Sequence, residues 1–249
     1  DTQLCISLSG RPGNFGTRFH NYLYQQLGLN FVYKAFTTDD IEHAVKGVRA
    51  LGIRGCAVSM PFKESCIPFL DELSASAKAI DYIAIAKLIG QYRLDTQASV
   101  IVHGSGGMAK AVVAAFRDAG FVDLQVYARN QATGTQLAES YGYRHIHTLE
   151  GVAADILVNI TPIGMAGGKE AEALAFPEAL IGQAQTVFDV VALPAQTPLI
   201  RHAAKQGIAT ISGAEVIVLQ AVEQFVLYTG QRPNDALIDE AAAFARANA

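Results

Sequence analysis

A glycine-rich run, Gly104-Ser105-Gly106-Gly107-Met108-Ala109, follows the apolar stretch Val100-Ile101-Val102 and leads into a helical pattern. Glycines at such a turn let the chain bend tightly and approach a diphosphate. The unpaired N–H groups of the helix start then face the phosphate oxygens. Ala109 takes the third small-residue position and still permits close packing of helix on strand. The arrangement points to a bound dinucleotide, with a purely structural turn as the competing reading. The next strand ends Tyr127-Ala128-Arg129-Asn130, with no acid to accept from a ribose 2′-hydroxyl. A planar guanidinium at Arg129 suits a doubly charged 2′-phosphate, so NADP is expected over NAD. Lys63 comes after a strand-like run and the turn Met60-Pro61. That places it at the C-terminal edge of a sheet, where α/β proteins collect ligands. Asp81 enters an apolar stretch and reads either as a helix cap or as a partner for Lys63. Such a pair could move a proton to or from an alcohol oxygen.

Other candidates have plainer readings. His145-x-His147 could present two ligands on one strand face, but no nearby Cys, Asp or Glu completes a tetrahedral set, and no metal is expected. His103 reads as a packed or cleft-edge histidine. His20 begins or lines a helix and could line a site. Cys56 and Cys66 read as buried small hydrophobes. Met165 is expected to close over a cofactor rather than to do chemistry.

Short apolar strands alternate with longer helical patterns, which implies α/β layering. Strands are expected at Leu4–Leu8, Phe31–Phe36, Gly55–Ser59, Val100–Val102, Leu124–Tyr127, Ile156–Asn159 and Val187–Val191. Gly10 to Gly16 reads as loop and Arg18 to Gly28 as helix. A further helix ends near Gly47, with Thr38 as its cap and Asp39 and Asp40 in its first turn. Helices are also expected at Ala109–Ala119, Thr133–Tyr141, Pro198–Gly207, Ala214–Tyr228 and Asn234–Arg246. The fold class is α/β with two domains, one sheet domain before about Leu88 and a second from about Asp95 to Ile211, and the last helices could pack on either. Ala75 to Ile89 is odd: it reads as continuous helix where a crossing between two units is wanted. A loop belonging between Ile80 and Asp81 would explain it.

The 249 residues are 51% apolar and 17% charged, which excludes a disordered chain. A net charge of −4 gives no bulk attraction to nucleic acid or anionic lipid. Three cysteines do not make a disulfide framework, so a reducing, cytoplasmic setting is expected. No membrane span and no signal peptide are expected.

Six segments together resemble the shikimate dehydrogenase family over essentially the whole chain. They are His20-Asn21, Val58-Ser59-Met60-Pro61-Phe62-Lys63-Glu64, Asp81-Tyr82, the Gly104 to Ala109 turn, Asn159-Ile160-Thr161-Pro162-Ile163-Gly164-Met165, and the C-terminal pattern of Thr197-Pro198-Leu199 with Gly213 through Gln220-Ala221. The resemblance implies an N-terminal substrate domain, a Rossmann-like NADP domain, and C-terminal helices that return to the substrate side. It implies hydride transfer between NADP and the ring carbinol of shikimate, as a step of aromatic amino acid biosynthesis. It implies Lys63 and Asp81 as the catalytic pair. Asn14, Ser59 and Gln220 would touch substrate. Gly104, Ser105, Gly106, Gly107, Met108, Ala109, Arg129, Asn130, Asn159, Thr161, Met165 and Gly213 would touch cofactor.

The departures bear on substrate. Where the family places two serines that grip the substrate carboxylate, this chain has Asn14 and Gly16, and Thr17 replaces the proline that follows. Arg11 and Arg18 lie nearby and could bind an anion instead. Ala192 replaces a frequent tyrosine, and the family's substrate-binding Asn has no counterpart between Ala79 and Asp81. The expected substrate is therefore a cyclic hydroxy acid. Shikimate leads, quinate or another polyol acid is the alternative, and an NADPH-binding regulator without turnover is a third possibility. A monomer or homodimer is expected, without nucleic acid or membrane partners.

Overall fold

The computed structural model describes residues 1–72 and 75–247. The chain forms two compact units, Asp1–Ile80 with Gln220–Ala249, and Asp81–Leu219. The elements of the first part are β1 (Gln3–Leu8), α1 (Phe15–Gln26), β2 (Phe31–Phe36), α2 (Ile41–Ala50), β3 (Gly55–Val58), α3 (Phe62–Ser65) and α4 (Ala75–Gln91). Then follow β4 (Val100–His103), α5 (Gly107–Asp118), β5 (Leu124–Tyr127), α6 (Gln131–Ser140), β6 (Arg144–Ile146), β7 (Ile156–Asn159) and α7 (Glu178–Ile181). The chain finishes with β8 (Thr186–Asp189), α8 (Pro198–Lys205), β9 (Ala209–Ser212), α9 (Gly213–Thr229) and α10 (Asp235–Arg246).

The first unit carries a parallel sheet in the order β2-β1-β3. Helix α1 buries Phe15, Phe19, His20, Leu23 and Tyr24, one stripe at helical spacing. It stops where Gly28 takes a positive φ of 63°. The helix starts three residues before the expected Arg18, so Gly16 lies inside it rather than in the loop. A glycine there costs a helix only about 1 kcal/mol, which the buried aromatic stripe outweighs. Helix α2 is capped by Asp40, whose carboxylate accepts from the His43 N–H at 3.0 Å, and it runs to Ala50. The expected cap, Thr38, instead accepts from the Asp40 N–H and shapes the turn one step earlier. On the outer edge of β2, the Asn21 side chain donates to the Tyr33 carbonyl at 2.9 Å and accepts from the Tyr33 N–H at 2.8 Å.

The second unit is a six-stranded parallel sheet in the order β6-β5-β4-β7-β8-β9. Its central strands are buried on both faces. Val100, Val102 and Phe188 pack with Phe116 and Val112 on one side, while Ile101, Leu157 and Val187 pack with Phe176 and Leu199 on the other. The strand order reverses between β4 and β7, the switch point at which α/β sheets open a crevice beyond their strand ends. Helix α9 contributes Val216 to this core. Further along it, Phe225 and Tyr228 join the core of the first unit.

Three local expectations change, while helix α4 runs from Ala75 to Gln91, the continuous helix that this stretch reads as. Strand β3 is half-buried and so is Cys56, whereas Cys66 is buried. His20 lies on helix α1, as expected, but its ring is fully buried in the core and lines no open site. Strand β6 ends before His147, so the two histidines do not share a strand face. Their rings meet edge to face at 4.7 Å.

Candidate active site

The second unit builds its site from the turn after β4. The Gly104 N–H donates to the Tyr127 carbonyl at 2.8 Å, and the Ile160 N–H donates to the His103 carbonyl at 2.9 Å. These bonds tie β4 to both neighbours at the switch point. Gly104 has φ +130°, and a Cβ on it would lie 3.3 Å from the Ile160 carbonyl carbon. Only glycine fits that crossing. Gly106 caps α5 without a side-chain hydrogen bond, and a Cβ there would meet nothing within 4 Å. Ala109 is fully buried beneath the turn. Open space over a helix N-terminus, reached by a glycine backbone, fits a diphosphate.

The neighbouring turn is fastened to this one. Asn130 caps α6 by accepting from the Thr133 N–H at 3.2 Å, and the Thr133 hydroxyl donates to the Asn130 carbonyl. The Ser105 and Thr133 hydroxyls share a hydrogen bond of 2.7 Å. Arg129, beside this cap, is largely exposed, with Nη1 3.6 Å from Glu170 Oε2. Met108 is half-buried against the core.

Below the surface lies a polar network. Asn159 is wholly buried and donates to the Ile163 carbonyl at 3.2 Å and to Asp189 at 3.0 Å. Its carbonyl accepts from the Thr161 N–H and hydroxyl. Asp189 also accepts from the Val191 N–H at 3.0 Å and the Thr197 hydroxyl at 2.6 Å. Burial pushes the Asp189 carboxyl up to about 6, against the pull of these donors. Asn159 and Thr161 thus shape the loop after β7 from beneath, and Asp189 holds the loop after β8. Met165, half-buried, lies on the first of these loops. Gly213 is buried where a Cβ would stand 2.3 Å from the Val191 carbonyl. It seats the start of α9 against β8's exit.

In the first unit, the loops after β1 and β3 meet. The Gly10 N–H donates to the Met60 carbonyl at 3.0 Å, and a Cβ on Gly10 would be 2.9 Å from Pro61. Asn14 and Ser59 are exposed on these loops, and Lys63 is half-buried on α3 just beyond. They share the C-terminal edge of the parallel sheet. Asn14 precedes α1 without a side-chain cap bond. Arg18, a sequence candidate for anion binding, is committed elsewhere. Its guanidinium donates to the Phe244 carbonyl at 2.7 Å and lies 4.2 Å over the Phe244 ring. Gln220, on α9, and Asp81, on α4, are half-buried. His103 is packed, with Nδ1–H donating to the Ala175 carbonyl at 2.8 Å. Among the described residues no group of three His, Cys, Asp or Glu could hold a metal ion, and no helix is long and apolar enough to cross a membrane.

Sequence reasoning missed Glu170 and the Asp189–Thr197 link. Asp189 had a local signal, an acid closing the apolar run Val187-Phe188. Glu170 had none, since only the folded loop brings it to Arg129.

Residues 15–84 match the model of the shikimate dehydrogenase substrate binding domain. A shikimate dehydrogenase-like protein of Haemophilus influenzae is 66% identical over 264 aligned positions, covering 99% of this chain and 97% of the relative. The chain belongs to the shikimate dehydrogenase-like family. The alignment to that relative is longer than the 249 residues here, so the relative carries positions without a counterpart in this chain. A solved shikimate 5-dehydrogenase-like protein superposes with a TM-score of 0.88 at 66% identity, covering 99% of this chain and 98% of its own. The shikimate 5-dehydrogenase of Thermus thermophilus, solved in complex with NADP(H) and shikimate, gives a TM-score of 0.83 at 26% identity, covering 98% of this chain and 100% of its own. Membership makes the chain an enzyme, whose general reaction is a shikimate dehydrogenase-like hydride transfer.

Proposed function

We propose that this enzyme interconverts the ring carbinol of shikimate, or of a closely related hydroxylated cyclic acid, with its ketone, using NADP. The observation that carries the reading is the glycine turn at the switch point, paired with an arginine where β5 ends without an acid. The substrate domain would comprise residues 1-88 and 213-249, and the cofactor domain 89-212. Gly104 to Gly107 would hold the diphosphate, Ser105 and Asn130 would frame the adenosine side, and Arg129 would clamp the 2′-phosphate. Met108, Ala109, Asn159, Thr161, Met165 and Gly213 would shape the rest of the cofactor surface.

When bound, the nicotinamide supplies the hydride acceptor or donor. The chain's own residues handle the proton. In the oxidising direction the substrate hydroxyl gives its proton to the Lys63–Asp81 pair, and in the reducing direction the pair returns it. A charged Lys63 also stabilises negative charge as it develops on that oxygen. Asn14, Ser59 and Gln220 would orient the acid. The direct experiment follows nicotinamide absorbance with NADP and a panel of cyclic hydroxy acids. Turnover of no panel member would overturn the substrate class.

Arg129→Ala tests the cofactor assignment. Charge-assisted hydrogen bonds contribute about 1.5–3 kcal/mol, so NADPH affinity should fall by roughly ten- to hundredfold. NADH affinity should change little. Equal losses for both would remove the 2′-phosphate role.

A second reading takes quinate or another polyol acid as the preferred substrate, given that Asn14 and Gly16 stand where the family has two serines. Gly16→Ser tests how far the missing donor limits shikimate. A Cβ at Gly16 would be 3.5 Å from the Tyr33 ring, an ordinary contact, so the fold accepts the side chain. If shikimate is bound weakly for want of that donor, its kcat/KM should rise by about tenfold. A rise confined to quinate, or none for any acid, would count against shikimate.

A further inference from the structure

We infer that Glu170 is a specificity-determining residue of the cofactor site, an internal counter-ion that a 2′-phosphate must displace from Arg129. The inference rests on the reading of Arg129 as the 2′-phosphate clamp. Glu170 sits on the long loop after β7, and its position is fixed by the backbone. Its carbonyl accepts from the Gly164 N–H at 2.9 Å and from the Ala173 N–H at 3.1 Å. The following residues, Ala175 and Phe176, are buried in the core. Glu170 is therefore delivered to Arg129 by a braced loop, with Oε2 3.6 Å from Nη1. Both charges also lie close enough to bias the His103 ring at the head of the glycine turn, in opposite directions.

The chemistry follows from charge. A ribose 2′-hydroxyl can donate to a carboxylate, whereas a 2′-phosphate is repelled by it. The end of β5 has no acid, and the loop after β7 brings one to the same arginine. Glu170 thus gives the site some of the character of an NAD pocket and weakens the preference that Arg129 alone would create. Because the pair is partly exposed, the effect is moderate and falls as salt rises.

The test is titration of NADPH and of NADH, followed by nicotinamide fluorescence, into the wild type, Glu170→Gln, Arg129→Ala and the double variant. Glutamine leaves the backbone anchors in place and removes only the charge. Glu170→Gln should tighten NADPH by about fivefold at low salt without tightening NADH, and the gain should shrink at high salt. An unchanged ratio of the two affinities overturns the role of Glu170. If Arg129→Ala still costs NADPH selectively in that case, only this inference falls. If Arg129→Ala spares the ratio, or the wild type binds neither nucleotide, the NADP reading falls and takes the inference with it.

Discussion

Replacing Lys63 by Met should lower turnover by roughly a hundred- to ten-thousandfold, the usual contribution of a positioned acid–base group, while NADPH binds as before. The two readouts separate because the residues proposed for the nucleotide lie on the second unit, at Gly104 to Gly107, Asn130 and Arg129, whereas Lys63 lies on α3 of the first. Methionine keeps an apolar stem of similar length, so a loss reflects the amine and not a packing defect. Asp81→Asn should produce a similar loss. The informative comparison is kcat against KM. A group that acts on the hydroxyl proton lowers kcat, whereas a group that only binds the acid raises KM. Full activity in Lys63→Met, with the fold intact, would end the proton-transfer assignment.

Acid should destabilise the first unit well before its carboxylates titrate, and His20 is the cause. The ring is fully buried among Phe19, Tyr33, Phe225 and Tyr228, stacked 4.4 Å from Tyr33, and neither nitrogen makes a well-formed hydrogen bond. Burial lowers its pKa from 6.5 to about 3, against a weaker opposing pull from the Gln224 side chain. Above pH 6.5 the ring is neutral in both states, and its contribution is fully present. As pH falls from there towards 3, the unfolded chain takes up a proton that the folded chain refuses. Stability then drops by about 1.4 kcal/mol per pH unit, to a total on the order of 5 kcal/mol. Such a loss is a large share of ordinary folding stability. Asp189 works in the opposite sense. Its folded pKa is raised from 3.8 to about 6, so it favours folding below 3.8 and loses that contribution as pH rises through 6. The difference between wild type and His20→Phe isolates the histidine. Thermal midpoints measured across this range should fall more steeply in the wild type, and parallel curves would rule His20 out.

Legibility in the sequence tracked how much local chemistry each element carries. The fully buried β7 and the stretch Leu124–Tyr127 were bounded to the residue, because hydrophobic runs between turn signals have few other readings. The edge strands β6 and β9 were missed. Arg144-His145-Ile146 and Ala209-Thr210-Ile211-Ser212 are polar or mixed, and become strands only because β5 and β8 offer free edges. The glycine turn was readable since its residue types follow from backbone geometry. Thr38 and Asp40 could not be ranked as caps, as both types suit the position and one turn of backbone decides. Asn159 was legible as a site residue, yet its buried bonds to Asp189 and Ile163 show how it acts, by bracing a loop. Glu170 illustrates the limit: its partner Arg129 lies on another strand's exit, and pairing across a fold has no signature in the spacing.

The amide of Asn21 has a bearing on association. A sheet of three strands has two flanks, and an open flank invites foreign chains to add on through main-chain bonding. On β2 the Tyr33 N–H and carbonyl both point outward and are both taken by one side chain. One amide there mimics the peptide group of a fourth strand. The first unit can thereby keep a narrow sheet while denying an incoming chain its central foothold on that flank.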